Sequence, residues 1–209
     1  GKRIQVGASL NFMRETGPNQ KADTIVSYLS PRISQFRGNA WMNASIGSHS
    51  TLTVRINVSP SRDRLEQERI SNYALSRDTI YKQIDFLVNP SLRLVTRLNK
   101  SWSNEFNASY TNTKQHKDEQ ISDNLYSSRQ LTDQQDLSQV ILLREQLQYH
   151  KNIGGWDIRP SASISFAHFK EKGEDDTKIF NLYDNSLRSR SYGWFSITQQ
   201  FLAISPAMQ

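Results

Sequence analysis

Residues 84–98 read Ile-Asp-Phe-Leu-Val-Asn-Pro-Ser-Leu-Arg-Leu-Val-Thr-Arg-Leu, the longest alternating run in the chain. Its even-numbered positions are almost all apolar, whereas its odd-numbered positions carry most of the polar side chains. A period of two residues is that of a β-strand whose two faces meet different surroundings. Leu87 and Val95 are the aliphatic exceptions on the polar side. The stretch therefore predicts one long strand with an apolar face and a polar face.

The same alternation recurs along the rest of the chain and predicts an all-β fold. It is found in residues 4–12, 36–46, 51–58, 106–110 and 156–166. In the last of these runs, Trp156, Ile158 and Pro160 alternate with Asp157 and Arg159.

Residues 137–150 are open to two interpretations. The segment is rich in good helix formers and could present Leu137 and Val140 on a helical face. A strand with Ile141, Leu143, Leu147 and Tyr149 on one face is preferred, because a turn at 151–155 and an alternating partner segment follow it. Glu145 would interrupt that apolar face.

The connections between the predicted strands alternate between short and long. Short turns are expected at Gly47–Ser50, Lys100–Asn104 and Asn152–Gly155, and long polar loops at Ser61–Asp78 and Lys114–Asp136, with a further polar connection at Lys170–Asp176. A meander with tight turns at one end and large loops at the other is typical of outer-membrane barrels. We therefore predict an antiparallel up-and-down meander of about 8 to 10 long strands, part of a transmembrane outer-membrane β-barrel.

Composition narrows the possible classes of protein. The 209 residues include no cysteine, which excludes disulfides, cysteine nucleophiles and thiolate metal sites, and the net charge is +6. No apolar run is long enough for a transmembrane helix. The predicted strands of about 10 to 14 residues exceed the usual globular length and are long enough to cross a bilayer. A soluble β-sandwich or lipocalin-like barrel is the alternative.

Two groups of side chains are candidates for a role in such a barrel. Aromatic residues suit the girdles at the membrane surfaces. The girdle candidates are Trp102, Phe106, Trp156, Tyr192 and Trp194. Basic residues on the predicted polar face could line a lumen and attract an anionic solute. These candidates are Arg55, Arg93, Arg97 and Arg159, and the alternative is that they pair with acids of neighbouring strands or of a plug domain.

The sequence indicates no enzyme. The histidines at positions 49, 116, 150 and 168 show no metal-site spacing, and no nucleophile-elbow or phosphate-loop motif is present. A hydrolase assembled across strands from serine, His168 and Asp157 is the weaker alternative. No cofactor or metal site is expected. Because basic and acidic residues are interleaved, nucleic-acid binding is not expected either.

Several segments resemble the barrels of the TonB-dependent outer-membrane receptors of Bacteroidetes. These are residues 86–94 (FLVNPSLRL), 98–100 (LNK), 104–111 (NEFNASYT) and 157–164 (DIRPSASI). The resemblance implies a barrel of about 22 strands around an N-terminal plug, which takes up a nutrient with energy from the TonB complex. It also implies outer-membrane lipid as a partner, with a surface lipoprotein as a further candidate.

Residues 1–209 are then a single barrel segment without a plug domain, and we expect the chain to be a fragment of a larger barrel. The function expected from the resemblance is that of a receptor and transporter in the cell outer membrane, with substrate recognition in the long loops. One alternative is a structural or adhesive outer-membrane barrel that does not transport. Another is a soluble secreted β-domain that binds an acidic glycan or nucleic acid.

Overall fold

The computed structural model describes residues 3–17, 26–71, 74–154 and 156–208, without the side chains of 26–31, 67–71, 74–76, 153, 156 and 207–208. These residues form ten β-strands and no helix. The strands are β1 (Ile4–Thr16), β2 (Val26–Ile46), β3 (Ser50–Ser71), β4 (Ala74–Arg97), β5 (Trp102–Asp123), β6 (Ser128–Tyr149), β7 (Lys151–Ile153), β8 (Trp156–Ile158), β9 (Pro160–Asn181) and β10 (Leu187–Met208). The predicted all-β fold is confirmed.

Eight of the strands form one antiparallel sheet in the order β1-β2-β3-β4-β5-β6-β9-β10. The short β7 and β8 pair only with each other, as a hairpin within the connection from β6 to β9. The predicted antiparallel meander is therefore confirmed. In the described residues β1 and β10 do not pair with each other, so this sheet is open.

The strand register sorts the side chains onto two faces. Ile56 of β3 lies opposite Ala40 of β2 and Pro90 of β4, so even-numbered residues share one face in these strands. In β6 the odd-numbered residues lie on this face, because Leu143 is opposite Ala108 of β5. In β9 the even-numbered residues lie on it again, because Leu143 is also opposite Phe166. We call this side of the sheet the apolar face and the other side the polar face.

The apolar face carries a band of apolar residues in the half of the sheet that contains the turns at 47–49 and 98–101. We call that end the turn end and the opposite end the far end. The apolar band includes Val6, Leu10, Met42, Val54, Ile56, Val58, Phe86, Val88, Leu92, Leu94, Phe106, Ala108, Ile141, Leu143, Ile164, Phe166, Leu202 and Ile204. Glu145 interrupts it, as predicted, and accepts a hydrogen bond from Asn104 Nδ2 at 3.0 Å.

The apolar band is not packed into a protein interior. No hydrophobic side chain in the described part of the chain is buried. Val6, Leu10 and Ile204 are 72%, 75% and 73% exposed. A soluble sandwich or a ligand-binding barrel would instead pack these side chains against a second sheet or against each other.

The prediction of long loops is wrong, because the residues assigned to them continue the strands. Ser61–Asp78 belongs to the far halves of β3 and β4, apart from 72–73, which lie outside the described residues. Lys114–Asp136 forms the far halves of β5 and β6, joined by a tight turn at 124–127. Lys170–Asp176 lies inside β9, and the turn to β10 is at 182–186. The hydrogen-bond ladder of the backbone extends through these segments although both of their faces are polar.

Strand lengths differ from the sequence prediction for the same reason. Apart from β1, the strands of the main sheet contain 21 to 24 residues. The 137–150 segment is a strand, not a helix, almost to its end. The predicted strand 156–166 is divided, because Arg159 separates β8 from β9.

Turns at the turn end are closed by local hydrogen bonds. Gly47 adopts φ of 66°, a left-handed conformation that glycine accepts without a steric penalty. In the turn from β4 to β5, Asn99 Oδ1 accepts hydrogen bonds from the backbone N–H groups of Ser101 and Trp102, at 2.8 and 2.9 Å. These short turns hold adjacent strands in register.

Within the described ranges, no helix has the length and apolar character needed to cross a membrane.

Candidate functional site

Three arginines converge on the polar face near the turn end. Arg93 of β4 and Arg144 of β6 lie in one cross-strand row, both opposite Asn107 of β5. Arg55 of β3 lies in the next row, opposite Ser91. Arg55 and Arg93 were candidates from the sequence alone. Arg144 was not among those candidates. Its place on the polar face follows from the assignment of the odd-numbered residues of β6 to the apolar face.

Arg93 is held by a carboxylate. Its Nε donates to Glu105 Oε1 at 3.0 Å and its NH2 group donates to Oε2 at 2.7 Å, which makes a bidentate ion pair. Asn107 Nδ2 donates to the same Oε1 at 2.9 Å. Arg93 therefore pairs with an acid of a neighbouring strand, which was the alternative to an arginine that lines a lumen.

Arg55 and Arg144 are not held in this way. Among the residues that the structure describes, neither makes an ion pair or a side-chain hydrogen bond, and both are exposed. Arg144 is close enough to Glu105 to interact with its charge. Two guanidinium groups are thus directed to solvent beside the Arg93–Glu105 pair.

The three arginines line a cavity of about 560 Å³ on the polar face, which we call the arginine cavity. Its remaining polar-face lining is Thr53, Ser91, Asn107, Ser109, Leu142, Ser165 and Ala167. Leu142 and Ala167 are cross-strand partners and form an apolar floor between β6 and β9. The lining contains hydroxyl, amide and guanidinium groups but no carboxylate.

Apolar residues also occupy the polar face beyond this floor, which the alternation in the sequence does not predict. Phe201 of β10 lies opposite Ala167, and its ring packs edge-on against that of Phe169 with centroids 5.8 Å apart. Phe195 and Ile197 share this side of β10. The run Gly193-Trp194-Phe195-Ser196-Ile197 could have indicated apolar residues on both faces, because apolar and polar residues do not alternate strictly within it.

Toward the far end the polar face becomes acidic. Asp85 accepts hydrogen bonds from Gln115 Nε2 at 3.0 Å, from Gln83 Nε2 at 2.8 Å and from Ser61 Oγ at 3.3 Å. Asp136 lies on the same face, in the same row as Asp85. The polar face therefore has a basic zone near the turn end and an acidic, amide-rich zone farther along.

The other two candidate arginines lie apart from the arginine cavity. Arg97 ends β4 and lines a separate hollow of about 1000 Å³ at the turn end, beside His49, Trp102 and His150. The prediction that Arg159 lies on the polar face of a long strand is wrong, because this residue lies in the connection between β8 and β9.

Arg159 is engaged in a local ion-pair cluster. Its Nε donates to Asp157 Oδ2 at 2.8 Å, and His150 Nε2 lies 2.7 Å from Asp157 Oδ1. Hydrogen bonding from Arg159 is the main reason that the pKa of Asp157 is lowered. The cluster closes the connection from β6 to β9.

The predicted girdle residues lie at different heights on the apolar face. Trp102 is at the turn end, where its ring contacts that of Tyr149 at 4.9 Å. Phe106 lies within the apolar band, opposite Leu94 and Glu145. Tyr192 and Trp194 lie in the far half of β10, opposite Asp176 and Glu174. The side chain of Trp156 is outside the described residues.

One group of potential metal ligands occurs in the described residues, on the apolar face beyond the band. His116 Nε2 lies 3.0 Å from Asp133 Oδ1 and 3.2 Å from Asp118 Oδ1. These side chains are partly or fully exposed and supply three ligand atoms. His116 is hydrogen-bonded to Asp133 and within ion-pair distance of Asp118, which accounts for the grouping without an ion.

The comparisons with known proteins assign no family. No family profile matches the sequence, and no curated protein matches it. Among solved structures, the ferric yersiniabactin uptake receptor FyuA of Yersinia pestis is similar to this chain, with a TM-score of 0.42 and 7% sequence identity. The match covers 99% of this chain and 40% of the receptor chain. A likeness at this level assigns neither a family nor an activity.

Proposed function

We propose that this chain forms part of the wall of an outer-membrane β-barrel, with its apolar face against lipid and its polar face toward a solute path. The observation that carries the proposal is the exposed apolar band on one side of a single-layer sheet. In lipid, such side chains are in their preferred surroundings, and the strand ladder satisfies the backbone groups that water cannot reach.

The height of the apolar band fits a bilayer. On β4 it extends from Ile84 to Leu94, and on β3 from Leu52 to Pro60. A tilted transmembrane strand needs about 9 to 11 residues. The long far halves of the strands carry polar residues on both faces, which suits projection into water. We place the far end on the extracellular side, because the long polar far halves of the strands extend beyond the apolar band as the extracellular parts of outer-membrane barrels do.

As the specific class, we propose a TonB-dependent receptor of the type found in Bacteroidetes, which takes up a solute. The support is the resemblance of residues 86–94, 98–100, 104–111 and 157–164 to such barrels. The partners in this proposal are outer-membrane lipid, the TonB complex acting through a plug domain, and a surface lipoprotein. We propose no catalytic role for the chain.

A pair of substitutions tests the membrane proposal. Ile56→Arg places a charge in the apolar band, whereas Ser59→Arg places the same charge on the polar face of the same strand. In a barrel folded in lipid vesicles, Ile56→Arg should lower the free energy of unfolding by about 2–4 kcal/mol. Ser59→Arg should change it much less, since its side chain meets water.

The measurement is urea unfolding of the full-length protein in vesicles, together with its recovery in the outer-membrane fraction of cells. Equal effects of the two substitutions would contradict the proposal. Folding and solubility of the full-length protein without lipid or detergent would contradict it as well.

A further inference from the structure

We propose that the arginine cavity binds an amphipathic organic anion, a small molecule with an apolar body and a carboxylate, phosphate or sulfonate group. The inference rests on the proposed function, because it treats the polar face as the wall of a water-filled path. It names the class of solute that this wall recognises.

The arginine cavity keeps an excess of positive charge. Its lining has three arginines and no acid, and Glu105 beside it compensates for one of them through the bidentate pair with Arg93. Arg55 and Arg144 keep their donors available, as far as the described residues show. A guanidinium binds carboxylate, phosphate and sulfonate oxygens through paired N–H donors.

Neutral hydrogen-bond donors surround these cations. Ser91 and Ser109 face each other across β4 and β5, and Ser165 lies opposite Arg144 across β6 and β9. Hydroxyl groups can donate to the remaining oxygens of an anion while the guanidinium neutralises its charge. Such donors favour an oxyanion over a halide, which offers no directional lone pairs.

The apolar floor of the cavity is partly exposed. Leu142 is 45% exposed and lies two residues from Arg144, on the same face of β6. Its row continues through Ala167 to Phe201, which is 54% exposed. An anion without an apolar body would leave this surface in water, whereas one with an aliphatic or aromatic body would cover it.

The size of the arginine cavity fits a small molecule. About 560 Å³ falls within the range of about 300–1,000 Å³ that is typical of ligand pockets. Its lining is also asymmetric, because the arginines lie on β3, β4 and β6, whereas the apolar floor lies on β6 and β9 and continues to Phe201 of β10. The ligand should therefore lie across the strands, with its charged group on the side of β3 to β6 and its apolar body toward β10.

The test uses 2-naphthalenesulfonate as the probe, with the full-length protein in vesicles of zwitterionic lipid. Methanesulfonate supplies the charge without the apolar body, and 2-naphthalenemethanol supplies the body without the charge. Binding is measured by titration calorimetry against vesicles without protein. We expect the naphthalenesulfonate to bind at least about 10-fold more tightly than either control compound.

Variants locate the site. Arg55→Gln and Arg144→Gln should each weaken binding of the probe about 10-fold, because each removes a charged donor. Arg97→Gln is the matched control, since Arg97 is on the same face but outside the arginine cavity. Leu142→Asn should weaken binding of the probe without changing that of methanesulfonate.

Three results would overturn the inference. They are equal binding of methanesulfonate and the probe, equal binding of the uncharged compound and the probe, and an equal loss of binding in Arg97→Gln. If the protein inserts into vesicles but does not bind the probe, the inference fails and the proposed function stands. If the Ile56→Arg and Ser59→Arg test fails, the proposed function fails whatever the probe does.

Discussion

Gly173 of β9 lies directly beneath the aromatic ring of Phe195 of β10. A Cβ atom on Gly173 would be 2.7 Å from Phe195 Cζ and 2.6 Å from Asp136 Oδ1. Gly173 is the only buried residue in the part of the chain that the structure describes. Gly7 and Trp41 repeat the arrangement at the other edge, where a Cβ on Gly7 would be 2.6 Å from the indole Cζ2. An aromatic ring over a cross-strand glycine covers exposed backbone and holds the register.

Gly173→Ala should destabilise the sheet, because the methyl group would displace the Phe195 ring. We expect the free energy of unfolding to fall by about 1–3 kcal/mol. Urea unfolding in vesicles measures the change. Gly193→Ala is the control, since no atom lies within 4 Å of the Cβ position there. In the Phe195→Ala background, Gly173→Ala should have a smaller effect, because only the contact with Asp136 Oδ1 remains, and a full effect there would contradict the explanation.

Arg93→Leu should be mild for folding. The Arg93 side chain is 57% exposed and that of Glu105 is 23% exposed, so water screens the ion pair between them. Exposed pairs contribute about 0–1 kcal/mol. A double-mutant cycle with Glu105→Gln measures the coupling energy. A coupling above about 3 kcal/mol would place this pair in a dry environment rather than on a water-filled wall.

Asp176 should make the far end of the sheet sensitive to acid. Hydrogen bonds from Arg190 at 2.8 and 2.9 Å, and then the 2.9 Å contact with Lys178, lower its pKa from 3.8 to about 2. A lowered pKa in the folded state stabilises the protein above about pH 4. This stabilisation is lost as the pH falls through about 2.

The comparison of Asp176→Asn with the parent protein checks this effect. The variant should unfold at lower urea concentration at pH 7, and the difference should shrink toward pH 2. Asp175→Asn is the control, because Asp175 lies on the opposite face and bonds to Thr177, not to a cation. A difference that is independent of pH would show that the carboxylate charge is not responsible.

Tryptophan fluorescence should report which face meets lipid. Trp102 lies on the apolar face at the turn end, and Trp41 lies on the polar face over Gly7. In variants that keep one of these tryptophans, with the others changed to Phe, brominated lipids should quench Trp102 strongly and Trp41 weakly. Interfacial aromatic side chains sit at the level of the lipid headgroups. Stronger quenching of Trp41 than of Trp102 would reverse the assignment of the faces.

In its alternating segments, the sequence alone identified strands and the two faces of each. The alternation in residues 84–98 follows from the pleat of a strand, which points successive side chains to opposite sides. The placement of Ile141, Leu143 and Leu147 on the apolar face also followed from alternation and from the turn after them. A local pattern is sufficient for such predictions because it depends only on residues within one strand.

The far halves of the strands could not be predicted in the same way. Ser61–Asp78 and Lys114–Asp136 carry polar residues on both faces, so their composition resembles that of loops. They are strands because neighbouring chain segments complete their hydrogen bonds, for example along the ladder between β5 and β6. Side-chain polarity does not report on backbone pairing where both faces meet water.

The all-β fold and the residues that alternate between an apolar and a polar side can therefore be predicted from the amino-acid sequence. The order of the strands and their register are known only from the folded chain. That register brings Arg144 into the row of Arg93 and places Phe195 over Gly173. Cross-strand neighbours depend on pairing between distant segments, which a pattern with a period of two residues does not encode.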